Sequence, residues 1–452
     1  MNGRELPARL ALALNRWSDR FLPSALGIAV VLTALTWLLA VLFGFRELPL
    51  AVRPLRVMQS WGGGLWGLLA FAMQMCLVML TGYVVAVSPL FGRALDALAR
   101  VPRGPRGAVA WMGFLSMALG LLNWGVSIVG SAVMARALAR RRPDVDYRLL
   151  VAAAYLGLGC TWHAGLSASA PMTVAAARND FVAAGFISAP VPAATTIGSP
   201  FNLALTAVVV LAMTGLVALL HPRREETFVV DPALVAEPAA EKDTERAGFV
   251  DGSFLVPAVL ALVAAGYLAR AFAERGLAAL DINTVNLAFF ALGLVLHGSL
   301  RSFGRAAAQG AGYLHGVVVQ FPLYAGMGAL IKDSGLAARI ADGLVAHASA
   351  RWMPLLVYWY SGIVNYFVPS GGSKFAIEAP YLFPAAGALG VAPAAVVLAY
   401  AWGDMMTDII QPFWAIPLLG VARLDFRAIA GYCAVIFLVY AALVSAAFAL
   451  MF

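Results

Sequence analysis

The sequence has little charge. Asp, Glu, Lys and Arg make up 12% of its 452 residues. A water-soluble domain carries about a quarter charged residues, so an ordinary soluble globule is excluded. Lysine is scarcest, occurring only at Lys242, Lys332 and Lys374. The net charge of +8 comes almost wholly from Arg in short loops between apolar runs. That is a topology signal. It is not the basic face with stacking aromatics that a nucleic-acid binder needs. Cys76, Cys160 and Cys433 lie inside apolar stretches with no metal or disulfide spacing. His-Glu-x-x-His, Gly-x-Ser-x-Gly and a Gly-Lys dipeptide are all missing, so the usual hydrolase and phosphate-loop motifs have no residues to work with. An intramembrane enzyme built on His163 or an Asp pair is left as a remote alternative.

What is abundant is apolar. Hydrophobic residues are 62% of the chain, and the mean hydropathy is +0.85. Runs of roughly 20 apolar residues cross a bilayer as a helix, and such runs recur near 24–43, 64–88, 149–177, 200–220, 253–272, 284–299, 308–331, 394–420 and 428–450. Arg4, Arg9, Arg16 and Arg20 precede the first, which reads as a retained helix rather than a cleaved leader. The fold class expected is an all-α polytopic membrane protein of about nine crossings.

Two further apolar regions do not fit single crossings. Region 107–135 is flanked on both sides by Arg, from Arg93, Arg100, Arg103 and Arg106 to Arg136, Arg140, Arg141, Arg142 and Arg148. Both flanks carry the cytoplasmic signature, so the region is expected to enter and leave on one side. Region 352–390 is broken by Pro369-Ser370-Gly371-Gly372-Ser373. Reading both as re-entrant hairpins puts the N-terminus inside and the Arg-rich loops in the cytoplasm.

Two halves then show the same order of parts. Asn123 precedes Pro171 by 48 residues, and Asn365 precedes Pro412 by 47. The division is 1–221 for a first repeat, 222–251 for a polar cytoplasmic linker, 252–283 for a connecting helix, and 284–452 for a second repeat inverted by that helix. Inverted repeats with broken helices are the pattern of secondary transporters, with the site where the breaks meet.

Four clusters carry candidate chemistry. The first break holds Asn123, Gly125 and Ser127, where free N–H groups at a half-helix start can bind a carboxylate; a kink bonded to a neighbouring helix is the alternative. Thr161-Trp162-His163 through Pro171 breaks the span 149–177, and there Ser167, Ser169 and His163 can hold a sodium ion or a proton, or His163 simply packs. The tip Ser370, Gly371, Gly372 and Ser373, with Asn365 just before it, can form an anion nest. Lys374 either adds charge there or snorkels to the interface. Asp404 and Asp408, at i and i+4 with Gln411 beyond them, are costly inside an apolar span. They can serve with Ser167 and Ser169 as a sodium site, or pair with a base on another helix. Glu378, His221, His297, His315 and His347 are weaker candidates.

Trp61-Gly-Gly-Gly-Leu-Trp, Ala70-Phe-Ala-Met-Gln74, Asn123-Trp-Gly, Gln320-Phe-Pro-Leu-Tyr-Ala-Gly326, Val368-Pro-Ser-Gly-Gly372 and Gln411-Pro-Phe-Trp-Ala415 closely resemble the short-chain fatty acid transporters of the AtoE type, over nearly the full chain. The resemblance implies a bacterial inner-membrane carrier for monocarboxylates such as butyrate or acetoacetate. It also implies a homodimer with a fixed scaffold and a moving, elevator-type transport domain. No cofactor is expected beyond a coupling sodium ion or proton. Ser373-Lys374, His163, Asp404 and Asp408 depart from the family pattern, which leaves the coupling cation open and keeps a dicarboxylate or other organic anion as the alternative cargo.

Overall fold

A computed structural model describes residues 25–177, 179–235, 248–367, 370–412 and 414–451. The Arg cluster before the first span, Lys242 and Arg246 of the linker, and Val368-Pro369 lie outside the described residues. All regular structure within them is helical.

The helices of the first half are α1 (Ala25–Phe43), α2 (Arg53–Gly64), α3 (Leu69–Ala86), α4 (Pro89–Leu98), α5 (Pro105–Leu122), α6 (Trp124–Arg141), α7 (Tyr147–Ala154), α8 (Ser169–Ala175) and α9 (Pro200–Leu219). After α10 (Leu255–Arg275) come α11 (Ile282–His297), α12 (Leu300–Ala311), α13 (His315–Asp333), α14 (Leu336–His347), α15 (Met353–Phe367), α16 (Gly371–Ala388), α17 (Pro393–Asp408), α18 (Ile416–Ala422) and α19 (Phe426–Met451). Apart from four-residue helices at Asp180–Ala183, Pro232–Val235 and Phe249–Gly252, the order is the same in both sets: long, short, long, short, a hairpin, a broken span, long.

Six stretches among the described residues are long and apolar enough to cross a membrane, or seven if α12 and α13, bent by 52°, count as one. α11 and part of α1 are shorter apolar helices. The span expected at 308–331 is thus α13 alone, with α12 turning away from it. α5 is 18 residues long, or about 27 Å at the helical rise. It is long for half of a re-entrant loop.

Burial decides what lies at the centre. The window through α7 and its continuation is 94% buried, whereas that of α10 is 17% buried. Ala152-Ala153-Ala154 and the glycines that follow are small, so neighbours pack closely. α10 carries exposed Leu262, Val263 and Tyr267, an apolar rim that suits lipid.

The breaks have local causes. After α7 the chain loosens into a π turn at Gly157–Thr161 and a 3-10 turn at Trp162–Ala164. Gly157 is required there, since a Cβ would sit 2.0 Å from Ser127 Oγ and 2.2 Å from Ser116 O. Thr161 Oγ1 donates to Met117 O at 2.9 Å, and Leu166 N–H to Leu121 O at 2.7 Å, so the hairpin takes up backbone groups that the break frees. The second break follows the end of α17 at Asp408 and ends where α18 begins at Ile416, with Pro417 in its first turn.

Candidate functional site

Asn123 is the single extended residue between α5 and α6. Its Oδ1 accepts from Gly125 N–H at 2.8 Å and Val126 N–H at 3.1 Å, and its Nδ2 donates to Val78 O at 3.3 Å. Ser167 Oγ accepts from Trp124 N–H at 2.9 Å. The first N–H groups of α6 are therefore capped from within, and this tip offers little to an anion. Ser127 Oγ donates to Ser116 O at 2.8 Å, stitching the hairpin together.

The second tip differs. Ser370 precedes α16 without a side-chain cap and instead donates to Ser373 Oγ at 3.0 Å. Gly371 and Gly372 form the start of the helix, where N–H groups have no intrahelical partner. A Cβ on Gly371 would lie 2.6 Å from Asp404 Oδ2 and 3.0 Å from Ser169 Oγ, so only glycine lets the tip touch those groups. Asn365 sits inside α15 rather than at the break. Its Nδ2 donates to Asp404 O and Asp408 Oδ1, each at 2.8 Å.

Behind the tip is a buried charge network. Lys374 Nζ lies 3.1 Å from Asp404 Oδ1, a charge contact outside hydrogen-bond angles, and 3.9 Å from Glu378 Oε1. Lys374 is 1% exposed, so it does not snorkel; Asp404 pairs with a base on another helix. His163 Nδ1 lies 3.0 Å from Asp404 Oδ2, and its Nε2 accepts from Ala170 N–H at 3.1 Å, with Ser169 Oγ at 2.9 Å. A backbone N–H can only donate, so Nε2 carries no hydrogen and Nδ1–H points to Asp404. Trp162 Nε1 donates to Asp408 Oδ2 at 3.0 Å. Ser169 and Asp404 both meet His163, whereas Ser167 is engaged by Trp124 N–H and Asp408 by Asn365 and Trp162. Gln411, in the second break, accepts at its backbone oxygen from Tyr155 Oη at 3.1 Å.

Tips and breaks meet at a small cavity of about 30 Å³, whose polar corner is Ser169, Ser370, Gly371 and Gly372. Its walls are Trp124, Trp162, Trp414, Phe321, Met75 and Leu158. The walls were not picked out from the sequence, although Trp124, Trp162 and Trp414 each follow a polar break residue by one to three positions. A larger cleft of about 480 Å³ opens beyond Phe71, lined by Gly372, Phe375, Tyr324, Lys332 and Asp333 among others.

Residues 6–451 match the family model described as "Short chain fatty acid transporter". A protein of Escherichia coli (strain K12) named "Putative short-chain fatty acid transporter" is 34% identical over 430 residues, covering 94% of this chain and 95% of that one. A Haemophilus influenzae protein of the same name is 33% identical, covering 94% and 96%. Among solved structures, MtrF of Neisseria gonorrhoeae, described within a class of antimetabolite efflux pumps, is similar in fold. It has a TM-score of 0.54 at 15% identity, over 97% of this chain and 96% of MtrF. The chain belongs to the short-chain fatty acid transporter family: it is a multi-pass membrane transporter and not an enzyme.

Proposed function

We propose that this protein takes up short monocarboxylates of the butyrate and acetoacetate type by cation-coupled symport across the bacterial inner membrane. The observation that carries the reading is the cavity between the tips. At about 30 Å³ it has room for about two waters in this state, but its lining pairs aromatic and aliphatic walls, which suit a short alkyl chain, with one polar corner at the uncapped start of α16, which suits a single carboxylate. The family and the names of the relatives point to the same cargo. Ser370, Gly371, Gly372 and Ser373 bind the carboxylate, while Asn123, Gly125, Ser127, Asn365 and Gln411 hold the tips in place. His163, Asp404 and Asp408, with Ser167 and Ser169, couple a sodium ion or proton to it. A dicarboxylate would need Lys374 free for its second charge, and Lys374 is engaged by Asp404 and Ser361, so the monocarboxylate is favoured.

The helix order of 25–219 recurs in 282–451 with α10 between. This supports an internal repeat; the reading of the two halves as inverted, with nine crossings, two re-entrant hairpins and a cytoplasmic N-terminus and linker, is part of the proposal. The broken spans and tips form an elevator-type transport domain moving against a scaffold that also makes the homodimer. The test is uptake of labelled butyrate into proteoliposomes under proton and sodium gradients imposed separately, with succinate as competitor. Concentrative uptake that succinate does not compete is expected. Uptake blocked by succinate shifts the cargo to dicarboxylates, and no uptake under either gradient refutes the proposal.

A further inference from the structure

Lys374 sits in the first turns of α16, where the helix dipole disfavours a positive charge. It is 1% exposed, and an uncompensated buried ammonium costs several kcal/mol. Its surroundings offset both. An ammonium has three donors; two of them meet Ser361 O at 3.0 Å and Ser361 Oγ in a short contact, and Asp404 Oδ1, at 3.1 Å, adds a charge contact outside hydrogen-bond angles. Glu378 Oε1 is 3.9 Å away, and the Tyr400 ring centroid is 4.1 Å from Nζ.

A carbonyl, a hydroxyl and carboxylate oxygens around one positive point are the kind of ligands that hard metal cations take. Here the positive point is tethered to the tip's own helix. The ionisable groups facing it are Glu378 on α16, Asp404, Asp408 and Tyr400 on α17, and His163 from the first break. His163 adds no positive charge, because its Nε2 is occupied as an acceptor. Both oxygens of Asp408 are taken, by Asn365 and Trp162. Among the described residues no three of His, Cys, Asp and Glu gather as a metal site.

We propose that the Lys374 ammonium is a resident cation. It fills the oxygen cage of Ser361, Asp404 and Glu378 that an alkali-metal ion would otherwise fill, and the protein therefore binds no sodium there and moves its substrate without a sodium gradient. The inference rests on the carrier reading of the site and narrows its coupling ion to something other than sodium.

The experiment is a melting curve of the purified full-length protein in sodium chloride against choline chloride at equal ionic strength, for wild type, K374A and K374Q. Wild type is expected to melt alike in both salts. K374A is expected to gain a sodium-specific rise of at least about 2 °C, growing with sodium concentration, because the emptied cage accepts the ion. If K374A is recovered only in sodium, the same conclusion holds. K374Q, whose amide partly refills the cage without charge, is expected to show a smaller rise than K374A. A sodium-specific shift in wild type, or no sodium effect on either variant, overturns the proposal, as does failure to recover K374A in either salt. Butyrate uptake by wild type with sodium absent separates the two readings. Uptake that requires sodium sinks the resident cation and keeps the carrier. The expected melting pattern without any butyrate uptake keeps the resident cation and sinks the substrate.

Discussion

Trp162 Nε1 donates to Asp408 Oδ2 at 3.0 Å, and this bond joins the break of the first half to the broken span of the second. Trp162 stacks on His163 with centroids 4.2 Å apart, and His163 in turn meets Asp404. One indole and one imidazole therefore each engage one oxygen of the two carboxylates that make α17 costly in an apolar setting, with Asn365 on the second oxygen of Asp408 and the Lys374 charge beside the second oxygen of Asp404. Ile409 packs into the space left by Gly159, where a Cβ would sit 2.7 Å from its Cδ1. The two breaks are held face to face by polar bonds and by close backbone approach together.

Replacing Trp162 by Phe keeps the ring and removes the donor. Asp408 Oδ2 is then buried without it, a loss of about 1–3 kcal/mol. W162F is expected to melt lower than wild type and to transport more slowly, while the pair W162F/D408N melts closer to wild type than W162F because the charge is removed with its donor. Thermal unfolding of the three variants checks this; equal melting of W162F and wild type contradicts it.

Asn123 is expected to act as a cap and not as a substrate ligand. N123A removes the acceptor for Gly125 and Val126 N–H, at a cost of about 0.5–2 kcal/mol, and removes the Nδ2 contact to Val78 O that ties this tip to α3. The melting temperature should fall, while KM for butyrate changes little. S370A should do the reverse, raising KM with a small effect on melting. Uptake kinetics on the two variants distinguish the roles of the tips, and a raised KM in N123A alone would assign substrate binding to the first tip.

The positions of the breaks were legible in the sequence, because Asn123-Trp-Gly, Thr161 to Pro171, the Gly-Gly tip and Gln411-Pro412 are local interruptions of apolar runs, although the first broken span loosens earlier, from Gly157. What the breaks do was less legible. Asn123 and Asn365 occupy matching places along the chain, yet one ends a helix and caps the next while the other lies inside α15 and binds α17. The difference depends on what packs beside each. The Lys374–Asp404 pair links residues on different helices, and no helical spacing announces it; Lys374 and Glu378, at i and i+4, are the pair that spacing does show. The aromatic walls were hidden for another reason. In a chain this apolar, a Trp facing a cavity and a Trp facing lipid carry the same pattern.

Phe71 divides the small inner cavity from the 480 Å³ cleft. Its ring stacks on Phe321 with centroids 5.9 Å apart, and it rests on Gly372, where a Cβ would sit 2.0 Å from Cζ. Phe321 and Gly372 line the inner cavity while Phe71 lines the cleft, so this contact is the partition between them. Truncating Phe71 joins the two spaces along the line from the polar corner outward, which is the direction an alkyl chain would take from a carboxylate bound at Gly371. F71A is therefore expected to bind longer monocarboxylates, hexanoate or octanoate, better than wild type does relative to butyrate. G372A has the opposite effect: the added methyl meets the ring, at an overpacking cost of about 1–3 kcal/mol, and uptake falls. The double variant F71A/G372A removes the clash and should recover uptake relative to G372A. Competition of labelled butyrate by a chain-length series, measured on the four proteins, checks all three expectations. An unchanged chain-length profile in F71A would place the tail-binding wall elsewhere, and a double variant no better than G372A would mean that the glycine serves the backbone at the tip and not the contact with the ring.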